Sequence, residues 1–237
     1  MVKIGKFEAI GRCLYWKEEK ILVVGDLHLG YENFLTEHGW SFPKTQLEDT
    51  LSILEDSFEN RVVEEVVLLG DIKHYFSGVL SEEFSDFRAV INLVKSKGVK
   101  RVVVTKGNHD AIIEPLIERW GFGDFVEIID VCNVKDVLFF HGHKESWNIE
   151  KYDKKYKTFV IGHFHPAVKI REGAKAEIFK CFLHGKSKGK EIIVVPSFFT
   201  LVEGTDVSSG KLEGWFDVSG FKKFVVADRV YDFGKMS

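Results

Sequence analysis

The chain has 237 residues, 45% of them hydrophobic and 21 of them phenylalanine, enough for a sizeable core and too apolar for a disordered segment. With 33 basic and 36 acidic residues the formal charge is −3, which excludes a protein that coats nucleic acid through bulk positive charge. No apolar run approaches the roughly 18 residues of a membrane span, and the opening residues lack the apolar stretch of a signal peptide, so the expectations are one domain over residues 1–237, a cytoplasmic location and no membrane.

Lys6 to Trp16 and then Lys20 to Val24 cluster β-formers around polar turns, which predicts strands. The second run ends directly in Gly25-Asp26. A polar loop through Pro43 leads into a helix over Thr45 to Glu59, where Leu47, Leu51, Leu54 and Phe58 fall at helical spacing. Val66 to Leu69 is a short apolar run ending in Gly70-Asp71, and Glu82 to Lys97 is a second helix carrying Phe84, Phe87, Ile91 and Val94. Arg101 to Val104 closes in Lys106-Gly107-Asn108-His109-Asp110, and Ile112 to Trp120 reads as helix. Such alternation predicts crossover units on a largely parallel sheet.

Beyond Gly121 the texture becomes β-rich: Phe125 to Ile129, Val137 to Phe140, Thr158 to Ile161, Ala167 to Ile170, Ala176 to Leu183 and Glu191 to Val195 all read as strands. Lys186 to Lys190 predicts a solvated hairpin tip, and Gly204-Thr205-Asp206 a turn. Cys13, Cys132 and Cys181 lie far apart outside any CxxC spacing and read as buried thiols. Gln46 is the only glutamine, a bias seen in proteins of hot environments.

Strand-like runs end in Asp26 with His28, in Asp71, in Asn108 with His109, in His141, and in His163 with His165. Ligands of open α/β sheets bind beyond the carboxyl ends of strands, so these five ends predict a common crevice. With His143, two places beyond His141, six of the nine histidines sit in these motifs, a bias that scattered core or surface histidines would not show. Carboxylate, amide and imidazole donors without thiolates suit divalent Mn, Fe or Zn better than a structural zinc site. Asp26/His28 and His163/His165 are each two apart, so a locally extended chain would send each pair from one face.

The five motifs, GDLH (Gly25 to His28), GD (Gly70, Asp71), GNHD (Gly107 to Asp110), HGH (His141 to His143) and GHFH (Gly162 to His165), resemble the signature of calcineurin-like metallophosphoesterases. The resemblance implies an α/β fold, a four-layer α/β/β/α sandwich. It implies two divalent metal ions, Mn²⁺ favoured over Fe, Zn or Ni. Asp26, His28 and His165 would hold one ion, Asn108, His141 and His163 the other, with Asp71 bridging. Ions about 3.5 to 4 Å apart would generate a bridging hydroxide and neutralise phosphate oxygens. His109 resembles the family's substrate-facing histidine, and Asp110 would orient it, cap the next helix, or do both. His143 reads as either behind the ligands or facing substrate. His74 stands where many members carry another acidic or basic residue, and reads as a surface or supporting histidine.

DLHLGYE (Asp26 to Glu32), GWSFPKTQ (Gly39 to Gln46), GDIKH and VVPSFFTLVEGTDV further resemble archaeal SbcD-related phosphoesterases and the bacterial phosphoesterases associated with a helicase and a ligase in DNA repair. That implies a phosphate-ester substrate, a phosphodiester such as DNA, a helicase or repair partner, and Tyr31, Lys73 and Lys106 near the mouth as phosphate contacts. Phe198 and Phe199 read as core. Two other readings stand beside a phosphodiesterase or nuclease: a phosphomonoesterase or protein phosphatase using the same metal pair, and a non-catalytic metal-binding scaffold, although no expected ligand is missing.

Overall fold

The first sheet follows the order of the chain. In the computed structural model, which describes residues 1–40, 43–75, 81–110, 112–143, 154–208, 212 and 216–235 (backbone only at 81 and 82), β1 (Val2–Ile4), β2 (Phe7–Ile10), β3 (Cys13–Trp16) and β4 (Ile21–Val24) form an antiparallel meander. From β4 the pairing turns parallel through β5 (Glu65–Leu68), β6 (Arg101–Thr105) and β7 (Val126–Ile129). The crossovers carry α2 (Gln46–Phe58), α3 (Ser81–Ser96) and α4 (Ile113–Arg119), close to the ranges expected from apolar spacing. All four residues of β4 are buried, which is why this strand reads as an unbroken apolar run rather than an alternating one.

The second sheet is assembled out of order as β14-β11-β12-β13-β10-β9-β8, from β8 (Cys132–Val134), β9 (Val137–Phe140), β10 (Thr158–Ile161), β11 (Pro166–Glu172), β12 (Lys175–Ser187), β13 (Lys190–Val194) and β14 (Thr205–Asp206). Here β9, β10 and β13 run parallel. A hairpin of β15 (Lys222–Val226) and β16 (Val230–Lys235) joins through β12. Lys188 and Gly189, both at positive φ, turn the β12–β13 hairpin, the two-residue geometry that matches strand twist.

Three cores separate the layers. Leu22, Val24, Val66, Leu68, Val102 and Val104 pack against Leu54, Phe87, Ile91 and Ile117 of the helices. The opposite face of the first sheet (Leu14, Val23, Val67, Val103) meets Phe139, Val160, Phe182 and Ile193 of the second. The outer face of the second sheet (Phe140, Phe159, Ile161, Val194) is covered by Phe164, Val207, Phe216, Val218 and Phe221. This is the two-sheet mixed α/β architecture expected; among the described residues the outermost layer beyond the second sheet is irregular chain rather than helix.

Some local expectations change. The loop through Pro43 contains α1 (Tyr31–Glu37), a two-turn helix without a side-chain N-cap, too short to be stable by propensity. Gly204 to Asp206 is not a simple turn, since Thr205 and Asp206 pair with Pro166 and Ala167. Ser41 and Phe42 of the Gly39 to Gln46 stretch lie outside the described residues. The three cysteines are free and buried, and no helix among the described residues is long and apolar enough to cross a membrane.

Candidate metal centre

The carboxyl ends of β4, β5, β6, β9 and β10 bring the candidate ligands together. Asp26, His28 and His165 offer donor atoms within 4.8 Å of one another, as do Asp71, His141 and His163, and a third group of His28, Asp71 and His109 joins the two. Asn108 closes on the second set, its Oδ1 3.2 Å from His141 Nε2. The locally extended geometry expected for the paired motifs is not what achieves this. His28, Asp71, His163 and His165 all sit at positive φ (45°, 46°, 67° and 44°), half of the non-glycine residues in that region among those described. Left-handed backbone costs on the order of 1 kcal/mol or more per residue and concentrates at functional sites. It aims these side chains inward from loops that would otherwise pass by.

The glycines of the motifs have a matching cause. A Cβ at Gly107 would lie 2.2 Å from Asp71 Oδ1, and one at Gly162 would lie 2.7 Å from Asp26 Oδ2. No larger residue fits while the carboxylates keep their places. The main-chain N–H of His109 donates to Asp71 Oδ1 at 3.0 Å, and that of His163 to both oxygens of Asp26 at 3.1 Å.

His141 makes the strongest case for a cation. It is fully buried, and its Nδ1 faces the carbonyl of Leu69 at 2.6 Å, the usual second contact of a metal-binding imidazole. Its Nε2 then confronts Asp71 Oδ2 at 3.3 Å, Asn108 Oδ1 at 3.2 Å and His163 Nδ1 at 3.1 Å. Burial pushes the His141 imidazole down, but Asp26 and Asp71 outweigh it and lift its pKa to about 9. Burial pushes the two carboxyls up, yet both are held below the ordinary range, Asp26 by His165 and His141 and Asp71 by His141. A knot of lone pairs that draws a proton onto one of its own imidazoles is one that a divalent cation fits, and the oxygen and nitrogen donors suit such an ion.

At the other group, His28 Nε2 lies 3.4 Å from His165 Nε2 and 3.7 Å from Asp71 Oδ2, and His165 Nε2 lies 3.6 Å from Asp26 Oδ1. Burial depresses the pKa of His28 to about 3 and that of His163 to about 4, which leaves both imidazoles neutral, the form that binds metal. His28 Nδ1 has no hydrogen-bond partner among the described residues, so packing against Phe199 (ring centroids 5.4 Å) holds its orientation.

His109 stands over the junction, 5.1 Å from the His28 ring. Its Nδ1 is 2.6 Å from the carbonyl of His74, which sets the ring's tautomer. The orienting role expected of Asp110 therefore falls to a main-chain carbonyl. Asp110 does not cap α4 either. Its buried carboxylate accepts from the N–H groups of Ile72 and Gly107, both at 3.0 Å, and so ties the Asp71 loop to the Asn108 loop. Burial raises its pKa to about 6.

The His74 ring is half-buried against Tyr31, Phe34 and His28, and burial lowers its pKa to about 4. His143 lies beside the group, its ring 5.2 Å from that of His141. Lys73, expected at the mouth, is buried instead with its ammonium on the carbonyl of Tyr75, and Lys106 is turned to Glu114 at 3.2 Å. Tyr31 does border the site, edge-on to His74 and Phe199.

Sequence reasoning missed Glu32 and Gln46. Gln46 Nε2 donates to the carbonyl of His28 at 2.7 Å and its Oε1 accepts from Tyr31 N at 3.2 Å, while Glu32 accepts from the main-chain N–H of Thr45 and Gln46. Both residues lie in stretches quoted for the resemblance, Asp26 to Glu32 and Gly39 to Gln46, but neither carries a role there.

Among solved structures, the chain is similar to the crystal structure of Pseudomonas putida nuclease MPE, with a TM-score of 0.63 and 17% sequence identity over 94% of this chain and 92% of that one, which is a likeness of fold. Among curated proteins nothing matches. The family model described as calcineurin-like phosphoesterase matches residues 19–196, about three quarters of the chain and every strand end that carries a candidate ligand, and the chain belongs to that family.

Proposed function

We propose that this protein is a dinuclear-metal-dependent phosphodiesterase acting on nucleic acid or a smaller phosphodiester, with residues 1–237 as one catalytic domain. Family membership implies a metal-dependent hydrolase, and the fold relative's name, a nuclease, favours the diester. The observation that carries the reading is the convergence on His141 Nε2 of Asp71, Asn108 and His163, beside a second group of Asp26, His28 and His165 that shares Asp71 as neighbour.

In this reading Asp26, His28 and His165 would hold one ion, Asn108, His141 and His163 the other, and Asp71 both; three oxygen donors beside four imidazoles, without thiolates, are compatible with Mn²⁺. Bound there, the ions would supply Lewis acidity to a phosphoryl oxygen and a water acidic enough to ionise near neutral pH. The residues do the rest. Left-handed turns at His28, Asp71, His163 and His165 fix donor directions before substrate arrives. His109, set by the His74 carbonyl, presents Nε2 to the phosphoryl group and, as imidazolium, delivers its Nε2 proton to the leaving oxygen. Tyr31 and Phe199 wall one flank with rings that exclude water from it.

Mn²⁺-stimulated cleavage of bis-p-nitrophenyl phosphate tests this. Asp71→Asn is expected to remove about a thousandfold or more of the rate, as loss of several kcal/mol of charge stabilisation requires. His109→Ala is expected to lower kcat by about a hundredfold or more with the ion content unchanged. Turnover that ignores both changes overturns the site. Preference for p-nitrophenyl phosphate over the diester on the same preparation replaces the diesterase by a monoesterase.

A further inference from the structure

Residues 196–205, starting at the last residue of the family match, cross the mouth of the second sheet and, among the described residues, contact the Asp26, His28 and His165 group. The main-chain N–H groups of Phe198 and Phe199 donate to the carbonyl of Asp26 at 2.9 and 3.1 Å. Further on, the N–H of Thr205 donates to the carbonyl of His165 at 2.7 Å. Between these ends Phe199 is the ring that packs against His28. Gly204 lets the strap come this close: its φ is +123°, and a Cβ there would sit 2.1 Å from the carbonyl oxygen of His165.

The strap itself is pinned from behind. Lys180, on β12 and only 3% exposed, donates from Nζ to Ser197 Oγ at 2.8 Å, to the carbonyl of Val202 and to the carbonyl of Glu203 at 3.1 Å. Those three acceptors match the three N–H bonds of an ammonium. Arg12, from the β2–β3 turn, adds a hydrogen bond to the carbonyl of Phe198 at 3.1 Å. A buried lysine contributes less to stability than an apolar side chain of its size, so its presence calls for a geometric reason. Among the described residues, one donor group clamps both limbs of a segment whose ends hold Asp26, His28 and His165.

We propose that Lys180 is a positioning residue for the Asp26, His28 and His165 half of the centre, acting through the strap rather than by contact with ion or substrate. The inference rests on the two-ion reading above. Its test is calorimetric titration of metal-free protein with Mn²⁺, which reads affinity without turnover. Wild type is expected to bind two ions. K180M is expected to lose about ten- to hundredfold at one site, as loss of a ligand's supporting contact does, and to keep the other. K180R, which retains donors, recovers most of the loss. In a His165→Ala background K180M adds nothing further to the remaining ion.

Folded K180M with both affinities unchanged, or both reduced equally, overturns the inference while leaving the two-ion centre intact. Wild type that binds fewer than two ions overturns the centre and this inference with it. Ser197→Ala, which removes one acceptor, is expected to shift the same site by a smaller factor and answers the question should K180M not fold; no shift there then overturns it.

Discussion

The Asp71, Asn108 and His141 group is tied together by contacts between the strand ends that carry it, after β5, β6 and β9, whereas the Asp26, His28 and His165 group takes added support from chain that arrives from elsewhere. His141 rests on the carbonyl of Leu69, directly after β5, and Asp110 stitches the loops after β5 and β6. The other group takes its support from Gln46 at the start of α2, from Phe199 and from the 196–205 strap. One half of the site is thus as rigid as the core beneath it. The other is as rigid as its props, and its stability and ion affinity can be altered from a distance.

The sharpest way to break that contrast is to remove one imidazole from each half. His141→Ala would leave Asp26 and Asp71 buried together without the cation that compensates them. Breaking a buried ion pair from one side costs about 3 to 5 kcal/mol, so in chelator the denaturation midpoint should fall steeply. His165→Ala removes a ring whose side chain is 21% exposed and leaves His141 beside Asp26, so it should cost less, about 1 kcal/mol. Equal costs for the two variants would mean that the halves do not differ as described.

A smaller effect separates the props. Asp110→Asn places an amide N–H against a main-chain N–H, leaving a buried donor unsatisfied, which costs about 1 to 3 kcal/mol. Gln46→Ala loses the contacts to His28 and Tyr31, each about 1 kcal/mol. Manganese titration should show the two changes weakening different ions, by roughly tenfold or more. If both weaken the same ion, the division between sheet-held and strap-held ligands is wrong.

What the sequence discloses cuts across that division, since Asp26, His28, His163 and His165 read from strand ends as directly as the ligands of the other half. Asp71, Asn108 and His141 were legible because a buried parallel strand is an unbroken apolar run, and the residue after it has nowhere to go but the crevice. The α2 to α4 helices were legible from their apolar spacing, and the strand runs from their β-formers. Contacts made by main-chain atoms leave no residue type to read. The His74 carbonyl that orients His109, and the N–H groups that occupy Asp110, could not be inferred from the identities of either partner. Lys180 was read as one more residue of a strand, because nothing local marks a lysine whose three acceptors lie 17 to 23 positions away. The β15–β16 hairpin and α1 escaped for a related reason: both are short and take their stability from packing on other segments.

Lys180 also offers the finest test of the strap-held half. Burial pushes its pKa from 10.5 down to about 7, with Arg12 pressing the same way and Glu203 and Asp26 opposing. Those neighbours are carboxylates and a guanidinium, types that titrate outside the interval from 7 to 10.5. Within it the unfolded chain holds a proton on this lysine that the folded chain has released. Stability therefore rises with pH across the interval, by at most about 1.4 kcal/mol per unit for one proton, and below pH 7 the contribution is constant because both states are protonated. In K180M the rise is absent. The difference in denaturant midpoint between wild type and K180M, followed from pH 6 to 9, should be flat below 7 and then shift steadily in favour of wild type. A difference that stays flat throughout would mean that the ammonium is held as comfortably in the fold as in water, and that its hydrogen bonds to the strap fully offset its burial.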